Sequence, residues 1–385
     1  MTAFDPSAAT AAYLGALPPA LRRAAEADTL WAHWLAVLIP LLVLAVCWAA
    51  LRSGLLVQTA RRYGRDGAAP WLASAVCAGL FSAVLLLACA PLEAFGAWRA
   101  HQGAAPSLGG LAQLAARALR RDVLLIGAAV VILPAVQALM RRAPRSWALW
   151  IGAVLAAAVF AVTWAPYALA SGPADLPPVP PGAARDGLAR LVRDTGIPVS
   201  GIYLSNQEAR DADVTGLPGQ ARVVVSKGLW SQATPAQIRA AVGHLMGHYV
   251  HGDELSLALV LALLTLGGPL AIWGLFAPAA RILGARGLEG PGDAAGLPVP
   301  AAIAAIYLCV ATVGFNNFIR LVNVRADQYS LDHAREPDGL ATNLLRDWHD
   351  DRVDPSALEE AVFYDHPSLR SRIDHAMRWK AAHLR

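Results

Sequence analysis

Residues 244–248 read His-Leu-Met-Gly-His. Two histidines four apart on a helix share one face, and their imidazoles can bind one zinc ion. A zinc-bound water becomes acidic, and in the motif His-Glu-x-x-His the Glu takes its proton. Here that position is Leu245. Leucine neither accepts a proton nor orients a water. The alternative for His244 and His248 is a pair of hydrogen-bonded imidazoles in a polar cavity. His251 falls on the same face, seven residues after His244. At about 1.5 Å per residue the row of three covers about 11 Å, too far for one ion at about 2.0–2.1 Å from each nitrogen. His251 is therefore read as a polar residue at a helix end.

The helix that must present these histidines has clear start signals. Thr234 suits an N-cap, Pro235 the first helical position, and Gln237 completes a capping box. Upstream, 186–194 has helical periodicity. Residues 201–204 and 222–226 read as short strands, the run Val223-Val224-Val225 most clearly, with a Gly216-Leu217-Pro218-Gly219 turn between them. The Pro-rich stretch 173–182 excludes helix and favours an extended linker. Downstream, a polar helix is expected over 316–335, and two amphipathic helices over 338–347 and 355–380.

The chain has 385 residues, 56% hydrophobic and 16% charged, with mean hydropathy +0.43. That is too little charge for an ordinary soluble protein. Six stretches approach the roughly 20 apolar residues that cross a bilayer core of about 30 Å. They are 31–51, 70–91, 123–139, 147–168, 255–277 and 298–318, the third being short. Trp31, Trp34, Trp71, Trp147 and Trp150 stand at span ends, as an interfacial belt would. The four cysteines, Cys47, Cys77, Cys89 and Cys309, fall inside spans without metal spacing and read as small buried residues. The net charge of +4 comes largely from arginines flanking spans. It points to membrane lipid as a partner and away from nucleic acid. No cleavable signal segment is evident. Short-loop arginines (Arg52, Arg61, Arg62, Arg65, Arg141, Arg142, Arg145) favour the cytoplasm for the side opposite the histidine helix.

With these pieces placed, residues 186–378 resemble the membrane-embedded zinc metallopeptidases of the CAAX prenyl endopeptidase class and the related bacterial heat-shock membrane protease. Residues 241–253 resemble that family's metal helix, apart from Leu245. Its second motif is Asn, three residues, Arg, two residues, Glu, three residues, Asp. Asn316, Arg320 and Asp327 match it, but Asn323 stands at the Glu. In the family that Glu is the third zinc ligand. His366-Pro367, followed by Arg372-Ile373, is similar to a late motif near the active site. Asp211-Ala212 stands where the family has Asn-Ala, on an edge that helps hold substrate backbone. The resemblance implies a metal-site domain facing the cytoplasm, in conflict with the short-loop arginines.

Two positions thus depart at once. An acid–base group typically contributes about 10²–10⁴ in rate, and a neutral amide is a poor replacement for an anionic zinc ligand. No nearby carboxylate is an obvious stand-in: Asp253 and Glu254 lie two turns on, and Asp327 is expected to orient His244 or His248 by a hydrogen bond. Arg320 and Arg372 read equally as ion-pair partners or cleft residues.

The expectation is a mainly α, multi-span helical membrane protein with a zincin-like metallopeptidase domain containing a small β-sheet. A four-span bundle occupies 1–170, a linker 171–184, and the metallopeptidase-like domain with two further spans 185–385. The site set is His244, His248 and Asn323 around zinc, with Leu245, Asp327, His366 and Arg372 beside them. The expected role is a pseudoprotease in a bacterial inner membrane that binds a peptide, a membrane-protein client or a partner protease. The alternatives are an active zinc endopeptidase with a rearranged site, and a transporter. Few ionisable residues lie deep in the spans, which speaks against transport.

Overall fold

The structure, a computed structural model, describes residues 4–64, 70–100, 108–348 and 351–384. Arg65 lies outside the described residues. In chain order the elements are α1 (Pro6–Gly15), α2 (Pro19–Ser53), α3 (Leu55–Gly64), α4 (Pro70–Ala100), α5 (Leu108–Arg142) and α6 (Trp147–Leu169). Then come α7 (Ala183–Thr195), β1 (Val199–Ser205), β2 (Ala212–Thr215), β3 (Ala221–Ser226), α8 (Lys227–Gln232) and α9 (Pro235–His251). The chain closes with α10 (Asp253–Ile282), α11 (Pro298–Ala334), α12 (Pro337–Asp347), α13 (Ala357–Phe363) and α14 (Leu369–His383). Among the described residues six helices are long and apolar enough to cross a membrane: α2, α4, α5, α6, α10 and α11. The protein is mainly helical, membrane-integral, and carries one small sheet.

Packing divides the chain into two compact units. The first comprises 1–29, 158–262 and 313–385, and holds the histidine helix. Its sheet has the order β1-β3-β2, with β1 parallel and β2 antiparallel to the central β3. Val223 and Val225 of β3 are fully buried and pack with Leu188 of α7 and Ile238, Val242 and Met246 of α9. A second core joins Leu14 of α1, Leu331 of α11, Leu340 of α12 and Ile373 and Met377 of α14. The other unit, 30–157 and 263–312, packs Cys47, Cys77 and Phe81 with Leu297 and Ala302, and seats Trp147 against Met140 and Ala148.

The expected features recur with physical corrections. The Pro-rich stretch is non-helical and also pairs with the sheet: Val179 N–H donates to the Ile202 carbonyl (3.1 Å), and Leu204 N–H donates to the Pro177 carbonyl (2.8 Å). Prolines lack donors, but the residues among them still pair along β1. β2 is too short to show alternation in the sequence. The expected helix over 355–380 is two, α13 and α14. Tyr364 is extended (φ −94°, ψ 130°), Pro367 disfavours helix before it, and Ser368 caps the restart. The third span is not short: its helix runs 35 residues, because a charged segment with Arg117, Arg120 and Arg121 continues the apolar one. Trp147 is 1% exposed, a core residue rather than a belt one, whereas Trp31, Trp34, Trp71 and Trp150 are exposed. Cys309 is exposed on its apolar helix, unlike the other three cysteines.

α9 and α11 cross at backbone contact. A Cβ on Gly247 would stand 2.9 Å from Ala326 Cα and 3.1 Å from its carbonyl oxygen. One turn earlier, a Cβ on Gly243 would meet Ser330 Oγ at 3.0 Å, and that hydroxyl donates to the Ala240 carbonyl (2.8 Å). Backbone cannot step aside as a side-chain tip can. Gly247→Val should therefore destabilise the detergent-solubilised protein by about 1–3 kcal/mol or more, the usual range for overpacking. Gly274→Ala, at an open position on α10, should leave stability equal or higher. Thermal unfolding of both variants checks this; equal melting of Gly247→Val and wild type would refute the close crossing.

Candidate metal centre and cleft

α9 begins as its sequence dictates. Thr234 Oγ1 accepts from Gln237 N–H, and Gln237 Oε1 accepts from Thr234 N–H, forming the capping box. Its end is a left-handed Gly252 (φ 64°), a conformation open to glycine without strain. That turn starts α10 at Asp253 and folds the Asp253 carboxylate back over the last turn of α9.

Both histidines are consequently gripped from behind. His244 Nδ1 lies 2.8 Å from Asp327 Oδ1, and His248 Nδ1 lies 2.8 Å from Asp253 Oδ2. Each carboxylate is in turn held by an arginine. Arg372 donates through Nε and Nη2 to the two oxygens of Asp327, both at 2.7 Å. Arg325 Nη2 donates to Asp253 Oδ1 at 2.7 Å. Asp327 and Asp253 are almost wholly buried. The carboxylates at both Nδ1 atoms fix the ring orientations and turn both Nε2 atoms away from them. The two Nε2 atoms face each other at 3.1 Å. Two nitrogens bonded tetrahedrally to one zinc stand about 3.3 Å apart, close to this spacing. Two donors therefore suit zinc.

The third does not. Asn323 is buried one turn before Asp327, and its Nδ2 donates to the Ile319 carbonyl of its own helix (2.9 Å). Among the described residues no group of three or more His, Cys, Asp or Glu is placed to hold a metal. The residues do not make the three-ligand set of a catalytic zinc site.

In front of His244 opens a cavity of about 640 Å³ within the first unit. Leu245 lines it, its side chain also packed on the core beneath. Arg372, His366, Asp211 and Ala212 line it too, so the structure gathers the separated motifs around one cleft. His366 is exposed, with Nδ1 2.9 Å from Asp365 Oδ1. Asp211 is pinned at the sheet end: its N–H donates to Ser226 Oγ (2.9 Å), and its carbonyl accepts from Ser226 N–H (2.9 Å). Asp211 opens onto β2, a strand with a neighbour on one side only.

Other residues fall elsewhere. His251 does not line the cleft; its Nδ1 bonds the Gly247 carbonyl (2.7 Å) and its ring meets Tyr329 edge-on. Arg320 donates to the Glu360 and Tyr364 carbonyls and so ties α11 to the chain leading to His366. The sequence reading gave Asp253 and Arg325 no role in orienting His248. The available signal was the helix-ending Gly252 directly before an acid.

Surrounding protein desolvates His244 and pushes its pKa below the ordinary 6.5, outweighing the pull of Asp327 in the other direction. The unfolded chain therefore takes up a proton before the folded one does. Stability contributed by neutral His244 is full above about pH 6.5 and declines as pH falls below it toward the lower folded value. Thermal unfolding with a chelator present should show this acid-side decline, and His244→Gln should flatten it. A wild-type profile flat from pH 7 to about 5 would contradict it.

Residues 183–380 match the family model "Peptidase family M48". The uncharacterized metalloprotease YhfN of Bacillus subtilis (strain 168) is 26% identical over 196 residues, 49% of this chain and 46% of that protein. Protease HtpX of Chromohalobacter salexigens is 36% identical over 76 residues, 20% of this chain and 25% of that protein. The chain thus spans about half or less of the length of the curated relatives it matches. The crystal structure of S. mikatae Ste24p superposes with TM-score 0.47 at 18% identity, covering 78% of this chain and 74% of that one. Members of the matched family generally use zinc. The family model covers just over half of this chain, in the part that carries both histidines and their carboxylates, and the chain belongs to peptidase family M48.

Proposed function

We propose that this protein is a catalytically impaired membrane metallopeptidase that binds, rather than cleaves, a peptide or membrane-protein segment. The carrying observation is the coincidence of Leu245 on the cleft wall with Asn323 turned to its own helix. Without a carboxylate at the first position, a water in the cleft has no group to take its proton. Without an anionic ligand at the second, a zinc ion has only two strong protein donors.

The rearranged-enzyme reading needs a substitute base. Asp327 is engaged by both arms of Arg372 and by His244, and Asp253 by Arg325 and His248. A carboxylate so occupied, and so buried, is a poor proton acceptor for a cleft water. These contacts favour the impaired reading.

The binding surface survives. β2 offers a one-sided strand edge beside the cleft, suited to an extended peptide that adds a strand. Membrane-integral placement and the bacterial relatives support an inner-membrane location with clients drawn from that membrane. A partner protease is the other candidate client.

The test restores what is missing. The wild type should take up little zinc and leave a panel of peptides intact. Leu245→Glu/Asn323→Glu should bind about one zinc per chain and acquire chelator-sensitive hydrolysis, a gain on the order of 10²–10⁴ over wild type. Asn323→Glu alone should gain the metal without the turnover. Stoichiometric zinc and turnover in the wild type, both lost in His244→Ala, would overturn the proposal.

A further inference from the structure

The two edges of the sheet differ. Along β1, Pro177 and Val179 bond to the strand. Along β2, no further strand pairs among the described residues. The Asp211 carbonyl accepts from Ser226 N–H (2.9 Å), so Asp211 turns its backbone toward β3. Antiparallel pairing alternates, and Ala212 and Val214 therefore turn theirs to the open edge. The outward donor of Ala212 is already occupied by the neighbouring carboxylate: Ala212 N–H donates to Asp211 Oδ1 (2.8 Å).

Side chains alternate as well. Val214 is buried against α9, whereas Asp211 and Asp213 are exposed and share the other face of the strand. Asp211 and Arg222 both lie within electrostatic reach of Asp213. In the cleft beside this edge, Asp347 and Asp351 add further acid. Both arginines of the cleft lining are engaged, Arg210 with Asp347 (3.1 Å) and Arg372 with Asp327 (2.7 Å). The apolar part of the lining includes Leu229 and Leu245, which belong to the core between the sheet and α9.

We infer that the peptide accepted at this edge is basic: an extended segment with Lys or Arg at alternate positions facing Asp211 and Asp213, and apolar residues between them on the Leu229 and Leu245 side. This rests on the peptide-binding reading above and supplies its selectivity. An added strand needs the Ala212 N–H for one of its carbonyls. A lysine gives the Asp211 carboxylate a new partner and so releases that N–H. A neutral peptide must displace the carboxylate and leave it unpaired, and an acidic one sets like charge against it. Edge carboxylates can also serve as guards against strand pairing, and that role predicts the opposite response to their removal. The net charge of +4 opposes a basic ligand at long range, so a preference for one reports the local acids.

The test uses the full-length protein in neutral detergent with a chelator present. It is titrated into fluorescein-labelled peptides of about ten residues, with Lys, Ser or Glu alternating with valine, and anisotropy is read. The Lys peptide should bind about three- to tenfold more tightly than the Ser peptide, as two exposed ion pairs would give, and the Glu peptide should bind most weakly. Added salt should shrink the preference. Asp211→Asn/Asp213→Asn should weaken the Lys peptide to the level of the Ser peptide, and Asp211→Lys/Asp213→Lys should favour the Glu peptide. Equal binding of the Lys and Ser peptides by wild type, tighter binding of the Glu peptide, or a Lys peptide bound more strongly by the Asn variant would each overturn the inference while leaving peptide binding intact. Binding of no peptide at all would overturn both.

Discussion

Everything at the histidine centre depends on one buried arrangement: the Asp327 carboxylate between the two arms of Arg372 and the Nδ1 of His244. It forms because Gly243 and Gly247 let α11 lie against the backbone of α9, and because α14 delivers Arg372 from the far end of the chain. A carboxylate in a low-dielectric interior is costly unless paired and fully hydrogen-bonded, and removing one partner of such a pair typically costs about 3–5 kcal/mol. Asp327 is therefore a structural clamp on three helices as well as the group that aims an imidazole. His248 has its own version in Asp253 and Arg325, made possible by the Gly252 turn.

The two clamps separate orientation from chemistry. Orientation is held by these contacts: the two imidazoles face each other through Nε2 atoms 3.1 Å apart. On the proposed reading the groups that would complete a hydrolytic centre are missing: Leu245 lines the cleft, and the Asn323 amide bonds its own helix. The supporting contacts carry the packing of α9, α11 and α14, so losing them would weaken the fold itself. Leu245 packs on the core beneath the cleft and Asn323 bonds its own helix, and neither takes part in those contacts.

Much of this was legible in the chain. Thr234, Pro235 and Gln237 announce α9, the valines announce β3, and six apolar runs announce the spans. The i, i+4 histidines and the distant Asp327, His366 and Arg372 were placed through motif order and spacing; the structure brings His244, His366 and Arg372 to one cleft, with Asp327 bonded behind His244 and Arg372. What stayed hidden was tertiary. Nothing local says that Asp253 turns back onto His248, that the prolines of 173–182 line up on β1, or that Trp147 is a core residue rather than an interface one. β2 hid because four residues are too few for a period to declare itself.

The central claim is that this centre holds its imidazoles ready but cannot activate water. Its most direct test is single-turnover peptide hydrolysis by the unmodified protein across a zinc titration, with each sample's metal content measured in parallel. The account predicts weak, substoichiometric zinc and no cleavage above the uncatalysed background at any concentration. Saturable zinc binding accompanied by cleavage that rises with occupancy and vanishes on chelation would contradict it.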